Sequence, residues 1–335
     1  MPKRLGEFVL RGWGKSLPNK KLDNAALGAE LGVAPESITA RTGILERRVA
    51  GPGESASTLG TAAARGALDR GGFRAADLEL LLLSTYTPDR LLCPTGPKIA
   101  HEIGAIRAGA FDLNAACSGG VTALLTASSL LTSGVFDNAL VVCADLTTLY
   151  VRPDDAKTRL VFGDGAAALL LERPAEGRGR PWQVLSAVMG ADGAGECFFH
   201  VPAMGSVMPS LNGQDFPETD RTVTMNGRAI FRFGVEQGTA VMHELCARAG
   251  IDLSSVRFVI PHQANLRIIS ALIEKTGLPA DRWFVNIQKY GNTASSSIPL
   301  ALTELADSRA IAPGDIILLV GFGAGLTWCG LALSA

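Results

Sequence analysis

The stretch FDLNAACSGGVTALLTASSLLTSG, residues 111–134, decides the fold. An apolar run at 110–113 passes through small residues to Cys117, then Ser118, Gly119 and Gly120, and small and aliphatic residues continue over 121–131. That order predicts a strand, a sharp turn and a buried helix. A thiol at such a turn sits at a helix N-terminus, where unpaired N–H groups and the helix dipole favour the thiolate. The two glycines put no side chain across the turn, which leaves the sulfur approachable. A cysteine in apolar company is more often a plain core residue, so a nucleophile needs support from the rest of the chain.

Outward from this unit the pattern repeats. A first strand is expected at 7–11, helices at 23–31 and 57–70, and a leucine-rich strand buried on both faces at 78–83. Residues 94–103 read as helical after their first positions, 138–144 as a further buried strand, and Phe162-Gly163-Asp164-Gly165 as a turn into a strand at 166–171. Residues 38–48, ITARTGILERR, read as a basic surface loop carrying Arg41, Arg47 and Arg48. Residues 172–180, charged and rich in Gly and Arg, are the candidate link between halves. Beyond it, LCARAGIDLSSVRFVIPH (245–262) repeats ALDRGGFRAADLELLLLS (67–84), with Val256 standing 178 positions after Leu78. The same step from Cys117 lands at 295, three residues from Asn292, so the strand–turn–helix unit is expected twice, with a thiol in one copy and an amide in the other. Alternating strands and helices in two similar halves predict two fused α/β units, residues 1–175 and 176–335. Residues 190–224, irregular and rich in Gly, Met and Pro, are expected to cap a site.

Composition narrows the function. With 47% hydrophobic and 19% charged residues the chain is globular, and a formal net charge of −1 gives no global field toward nucleic acid or a membrane surface. The six cysteines form no CxxC and the four histidines show no metal-ligand spacing with them, a pattern of reduced thiols expected of a cytoplasmic protein without a bound metal. The basic start is followed by too short and broken an apolar run for a signal peptide, and no run reaches the roughly 20 residues needed to span a bilayer.

Two later segments give Cys117 company. Pro261-His262-Gln263-Ala264-Asn265 places a histidine just past a buried strand, and Tyr290-Gly291-Asn292-Thr293 places an amide at the next turn. Neighbouring strand ends in one sheet open on a common crevice. With the halves packed about a pseudo-twofold axis, Cys117 faces His262 and Asn292. A thiolate can take an acyl group as a thioester. A second thioester then gives an enolate, whose oxygen a His N–H and an Asn NH2 can hold. The carbonyl on sulfur needs its own donors, and the N–H of Cys117 and one from the 322–325 turn, Ala324, are the candidates. Acyl transfer to an alcohol or amine with His262 as base is the competing use of the same groups, and the amide favours condensation.

Six segments carry a resemblance over nearly the whole chain: ARTGILERR (40–48), AACSGG (115–120), FGDGAAALLL (162–171), PHQANLRII (261–269), YGNTASSSIP (290–299) and PGDIILLVGFGAG (313–325). With them the chain resembles β-ketoacyl-acyl-carrier-protein synthase III, within the thiolase-like condensing enzymes. The resemblance implies a five-layered α/β/α/β/α fold, a homodimer, a Cys117–His262–Asn292 triad, no cofactor, and acyl thioesters of acyl carrier protein or coenzyme A as substrates. It also implies a coenzyme A-contacting Arg41, with Arg228, Arg232, Asn265, Arg267 and Lys275 on the side that receives substrate or the acidic carrier. The departures are informative. The family's adenine-stacking tryptophan and arginine align with Ser37 and Ala156, a loss of about 1–3 kcal/mol for each stacking partner unless Arg159 substitutes. Acyl groups are therefore expected mainly on carrier protein. A phenylalanine that closes the acyl pocket from the partner subunit aligns with Cys93, which leaves room for longer or branched chains unless Leu91, Leu92 or a methionine fills it. These departures point to a specialised enzyme of polyketide or antibiotic biosynthesis, with a housekeeping initiator of fatty-acid synthesis as the alternative.

Overall fold

The computed structural model describes residues 5–177, 179–209 and 215–335. Residues 1–4 of the basic start, residue 178 of the linking stretch and residues 210–214 of the 190–224 insertion lie outside them. The first half runs β1 (Gly6–Ser16), β2 (Lys20–Asp23), α1 (Asn24–Leu31), α2 (Pro35–Thr42), β3 (Glu46–Val49), α3 (Ala56–Gly71), β4 (Leu80–Ser84), α4 (Gly96–Ile103), β5 (Gly109–Leu113), α5 (Gly119–Thr132), β6 (Asn138–Asp145), α6 (Ala156–Arg159) and β7 (Gly165–Glu172). The second runs β8 (Trp182–Ala191), β9 (Phe199–His200), α7 (Glu218–Arg221), β10 (Thr224–Met225), α8 (Gly227–Ala249), β11 (Phe258–Pro261), α9 (Leu266–Thr276), α10 (Ile287–Tyr290), α11 (Ser297–Asp307), β12 (Ile316–Gly323) and β13 (Thr327–Ser334).

Both halves use one strand plan. The first orders its strands β5-β4-β6-β7-β1 and the second β11-β12-β13-β8. Within each, the inner pair is parallel (β4 with β6, β11 with β12) and the next two pairings are antiparallel. A single parallel bridge, Val259 to Trp283, stands where the first half has β5. The sheets meet edge to edge where Gly6–Phe8 of β1 pairs with residues 182–184 of β8.

Strand alternation builds the layers. Leu80 and Leu82 of β4 and Ala139, Val141 and Cys143 of β6 join Val121, Leu124, Ile298 and Leu302 in a core between the sheets. Their neighbours Leu81, Leu83, Leu140 and Val142 face the other way, onto α3 and α4. The third core packs α8 and α9 on the outer face of the second sheet. The result is five layers, α/β/α/β/α, with α5 and α11 in the middle. Strands covered on both faces read as continuous apolar runs, and cutting Leu82 back to alanine is expected to cost about 2–5 kcal/mol.

The repeat is tighter than the sequence suggested and pairs different residues. The turn Ala116–Ser118 and the start of α5 recur 178 positions on as Ala294–Ser296 and the start of α11. The counterpart of Cys117 is therefore Ser295, and the counterpart of Asn292 is Asn114. Each asparagine accepts a hydrogen bond at Oδ1 from the N–H two residues on, Ala116 (3.1 Å) or Ala294 (2.9 Å). Each of those alanines sits in the left-handed region, at φ 45° and 50°. The turn is thus an Asx turn closed on a strained alanine in both copies, not a thiol exchanged for an amide. The strand expected before Asn292 is instead the short helix α10.

Residues 38–48 also depart from a surface loop. Pro35 starts α2, Gly43 ends it at φ 75°, and the chain returns as β3. Arg47 is 1% exposed, with Asn24 and the carbonyls of Leu22 and Leu160 as its partners. Among the described residues no helix is long and apolar enough to cross a membrane.

Candidate active site

The Cys117 turn is held against the end of the second sheet. A Cβ on Gly323 would stand 2.6 Å from Cys117 Cβ, so only glycine allows β12 to end this close to the sulfur-bearing residue. The Ser118 and Thr327 hydroxyls lie 3.0 Å apart, Ser118 Oγ is 2.8 Å from the Ala115 carbonyl, and Thr327 Oγ1 is 3.0 Å from the Ala324 carbonyl. This knits the turn to Ala324, the expected second donor.

His262 continues β11. Its N–H donates to the Val320 carbonyl (2.9 Å), its ring meets Phe322 edge-on, and its Nδ1 lies 2.8 Å from Ser297 Oγ. Gln263 Oε1 accepts the N–H groups of Asn286 and Ile287, and so ties the histidine segment to α10. Asn292 is clamped by the other half. Its N–H donates to the Val161 carbonyl (2.9 Å) and its carbonyl accepts from Gly163 (3.0 Å). A Cβ on Gly163 would meet the Tyr290 carbonyl at 2.1 Å. The FGDG turn of the first half thereby positions the amide of the second.

All three groups line one cavity of about 570 Å³. Its buried floor is Cys117, His262 and Asn292, and its walls include Leu160, Phe162, Phe199, Met225, Phe233 and Phe322. Phe199 comes from the 190–224 insertion. The exposed rim carries Arg41, Lys157, Arg228 and Arg267, and among the described residues no carboxylate lines the cavity. None of these four cations has an ion-pair partner among the described residues.

Burial sets the protonation states. It pushes the Cys117 thiol up to about 12; the Asp145 carboxylate adds to this, and the N–H groups of Ala324 and Cys117 oppose it. The free thiol is therefore protonated near neutrality. Desolvation of the thiolate thus opposes the pull expected from the helix terminus. The same two N–H groups that lower the thiol are the expected oxyanion donors. Burial also pushes His262 down to about 3, so its imidazole is neutral.

Other expected residues fall unevenly. Asn265 lines the cavity, but its side chain caps α9 at Arg267 N–H (2.9 Å) and donates to the Arg41 carbonyl (3.3 Å). Arg232 and Lys275 are exposed and outside the cavity lining. Arg159 pairs with Glu30 (2.7 Å), while Ala156 lines the cavity. Cys93 is exposed at φ 75° in a separate depression with Ser55, Asp89, Arg90, Pro94 and Lys98, outside the cavity of its own chain. Lys157, Ser297 and Asp145 were missed by sequence reasoning. The first is a lone lysine without a motif, Ser297 acts through His262 within its own half, and Asp145 acts through Ser295 across the two halves. Among the described residues no cluster of three or more His, Cys, Asp or Glu is suited to a metal.

Comparison with known proteins bears on these features directly. Residues 111–193 match the family model described as 3-oxoacyl-[acyl-carrier-protein (ACP)] synthase III, and residues 246–335 match the model of its C-terminal part. A β-ketoacyl-[acyl-carrier-protein] synthase III of Roseiflexus castenholzii is 43% identical over 96% of both chains. The crystal structure of 3-oxoacyl-[acyl-carrier-protein] synthase III from Aquifex aeolicus is 36% identical, with a TM-score of 0.89 over 98% of this chain and 100% of that one. The priming β-ketosynthase of the R1128 polyketide pathway is 34% identical, with a TM-score of 0.89 over 100% of this chain and 97% of that one.

Proposed function

Because the chain belongs to the β-ketoacyl-acyl-carrier-protein synthase III family, acyltransferases of the thiolase-like fold, we propose that it joins an acyl group held on Cys117 to a carrier-bound malonyl thioester. The single observation carrying this is one cavity with a thiol, two neutral donors and a wholly cationic set of charged lining residues.

In the first step the sulfur of Cys117 attacks the donor's thioester carbonyl. The N–H groups of Cys117 and Ala324 hold the oxyanion, and the carrier thiol leaves with the proton that Cys117 gives up. In the second, the malonyl carboxylate leaves as CO2. His262 and Asn292 hold the enolate oxygen, and the enolate carbon attacks the acyl carbonyl. Collapse releases a β-ketoacyl carrier and the Cys117 thiolate, which takes one proton. In this reading residues 1–175 supply the nucleophile and 176–335 the two donors.

The specialised role expected from the sequence gives way to the initiator of fatty-acid synthesis. Relatives named β-ketoacyl-[acyl-carrier-protein] synthase III reach 43% identity, against 34% for the pathway ketosynthase. Delivery by acyl carrier protein is supported by Ala156 in the cavity lining, by the pairing of Arg159 with Glu30, and by exposed Arg41, Arg228, Arg232 and Arg267 facing an acidic partner. We assign the enzyme to the cytoplasm on its unpaired thiols. A homodimer is supported by β5, which among the described residues pairs only with β4 and ends the sheet with Phe111 exposed.

The test is intact-protein mass after mixing with acyl-carrier protein or acyl coenzyme A, then with malonyl carrier. Wild type gains one acyl group, Cys117→Ala gains none, and malonyl carrier discharges it as a β-ketoacyl product with CO2. An adduct that survives Cys117→Ala, or discharge only as ester or amide, rejects the reading.

A further inference from the structure

Ser297 opens α11 and is 2% exposed. Its Oγ lies 2.8 Å from His262 Nδ1, and the only other contact described for that oxygen is the Gln263 N–H at 3.5 Å, a donor. The carbonyl four residues back, Thr293, which a helical serine commonly uses, takes the Ser296 hydroxyl instead (2.8 Å). The Ser297 proton therefore has one acceptor within reach, Nδ1. The reverse arrangement, Nδ1–H donating to Oγ, would leave a buried hydroxyl proton unpaired, at a cost of about 1–3 kcal/mol.

We infer that Ser297 is a positioning residue that donates to His262 Nδ1 and thereby fixes the tautomer with the proton on Nε2. The nitrogen left to the cavity is then a hydrogen-bond donor. It can hold an enolate oxygen, and it cannot accept a proton from Cys117 or from an alcohol. One hydroxyl thus selects the carbon–carbon reaction over general-base acyl transfer at a shared site. The first half lacks the device. The counterparts of Ser297 and His262 are Gly119 and Ser84, and a Cβ on Gly119 would stand 2.3 Å from Ser84 Oγ. The inference rests on the condensation reading for its consequence, but the tautomer itself is measurable without turnover.

Nitrogen NMR of the full-length protein labelled with 15N-histidine reads it. The chain has four histidines, and the His262 signals are those lost in His262→Asn. Wild type is expected to show Nδ1 unprotonated and Nε2 protonated. In Ser297→Ala this pattern gives way to a mixture. Condensation then slows roughly tenfold or more in kcat, while Cys117 acylation proceeds at the wild-type rate. Ser297→Thr, which keeps the hydroxyl, restores both. A protonated Nδ1 in wild type, or condensation by Ser297→Ala at the wild-type rate, overturns the inference. If Cys117 takes no acyl group in wild type, the functional reading fails while the nitrogen spectrum still decides the tautomer.

Discussion

Cys117, the proposed nucleophile, rests protonated. With the thiol near 12, its alkylation by iodoacetamide in the free enzyme should climb about tenfold per pH unit from 7 to 10 without levelling. A plateau below pH 8 would show that the helix terminus wins over burial. Asp145 contributes to the raised value, so Asp145→Asn should alkylate faster than wild type at pH 8. His262 runs the opposite way. Its imidazole stays neutral down to about pH 3, so condensation should show no acid limb near 6.5, the ordinary histidine value. The linked stability follows with its sign. The unfolded chain takes up this proton as pH falls below about 6.5 and the native one does not, so the native state loses stability there. Cys117, His262 and Asn292 were legible in the sequence because each stands in a short motif with its own chemistry. Ser297 and Asp145 were not, since a serine or an aspartate gains its role only from a partner brought in by folding: His262, 35 residues away, for one and Ser295, 150 residues away, for the other.

At the level of elements, the segment from Asn292 to Ser297 carries one expected catalytic amide and the hydroxyl that orients the other donor. Asp145, at the end of β6, holds its middle. The carboxylate accepts the Ser295 N–H (2.9 Å) and hydroxyl, and on its other oxygen the Tyr86 N–H (3.0 Å). Ser295 is the counterpart of Cys117, so in the second copy the N–H that matches the proposed oxyanion donor is taken up by Asp145. Burial raises this carboxyl to about 6 in spite of its donors. Here the folded value lies above the unfolded one of about 3.9, so stability falls as pH rises between them, by on the order of 3 kcal/mol. The difference in melting temperature between wild type and Asp145→Asn, followed from pH 4 to 7, should therefore change across that window. A constant difference would mean that Asp145 is already ionised at pH 4. Gly323→Ala is a sharper local test. The new methyl must displace Cys117, so acylation should fall by orders of magnitude while far-ultraviolet circular dichroism is kept. The sequence read strands better than turns. The runs at 78–83 and 138–144 announce burial by composition alone, whereas residues 38–48 read as a loop although Pro35 and Gly43 punctuate the helix that enters them. The 178-residue step of the repeat is legible and holds, but pairing Cys117 with Asn292 is three residues off; the shared Asn-x-Ala-x-Ser at 114–118 and 292–296 gives the pairing that the structure has.

For the whole molecule, five layers leave one edge of the sheet open. β5 ends it, and Asp112 of this strand accepts the N–H groups of Thr95 (2.7 Å) and Gly96 (2.6 Å), which draws the loop with Leu91 and Leu92 alongside. Those leucines are 86% and 84% exposed. An open strand beside bare leucines invites pairing with another strand, and a second copy offers the same surface about a twofold axis. Light scattering should therefore give twice the 35.0 kDa of one chain, and Phe111→Asp should return the single mass. A wild type that stays at one chain mass at micromolar concentration refutes the pairing. The same arrangement decides the role of Cys93, which lies on this loop beyond reach of its own cavity. If the loop enters the neighbour's cavity, Cys93→Phe should lower Cys117 acylation by long-chain donors several-fold and leave two-carbon donors unaffected. It should do so only in the paired form. In a Phe111→Asp background the same substitution should change nothing, since the phenylalanine then has no neighbouring pocket to fill.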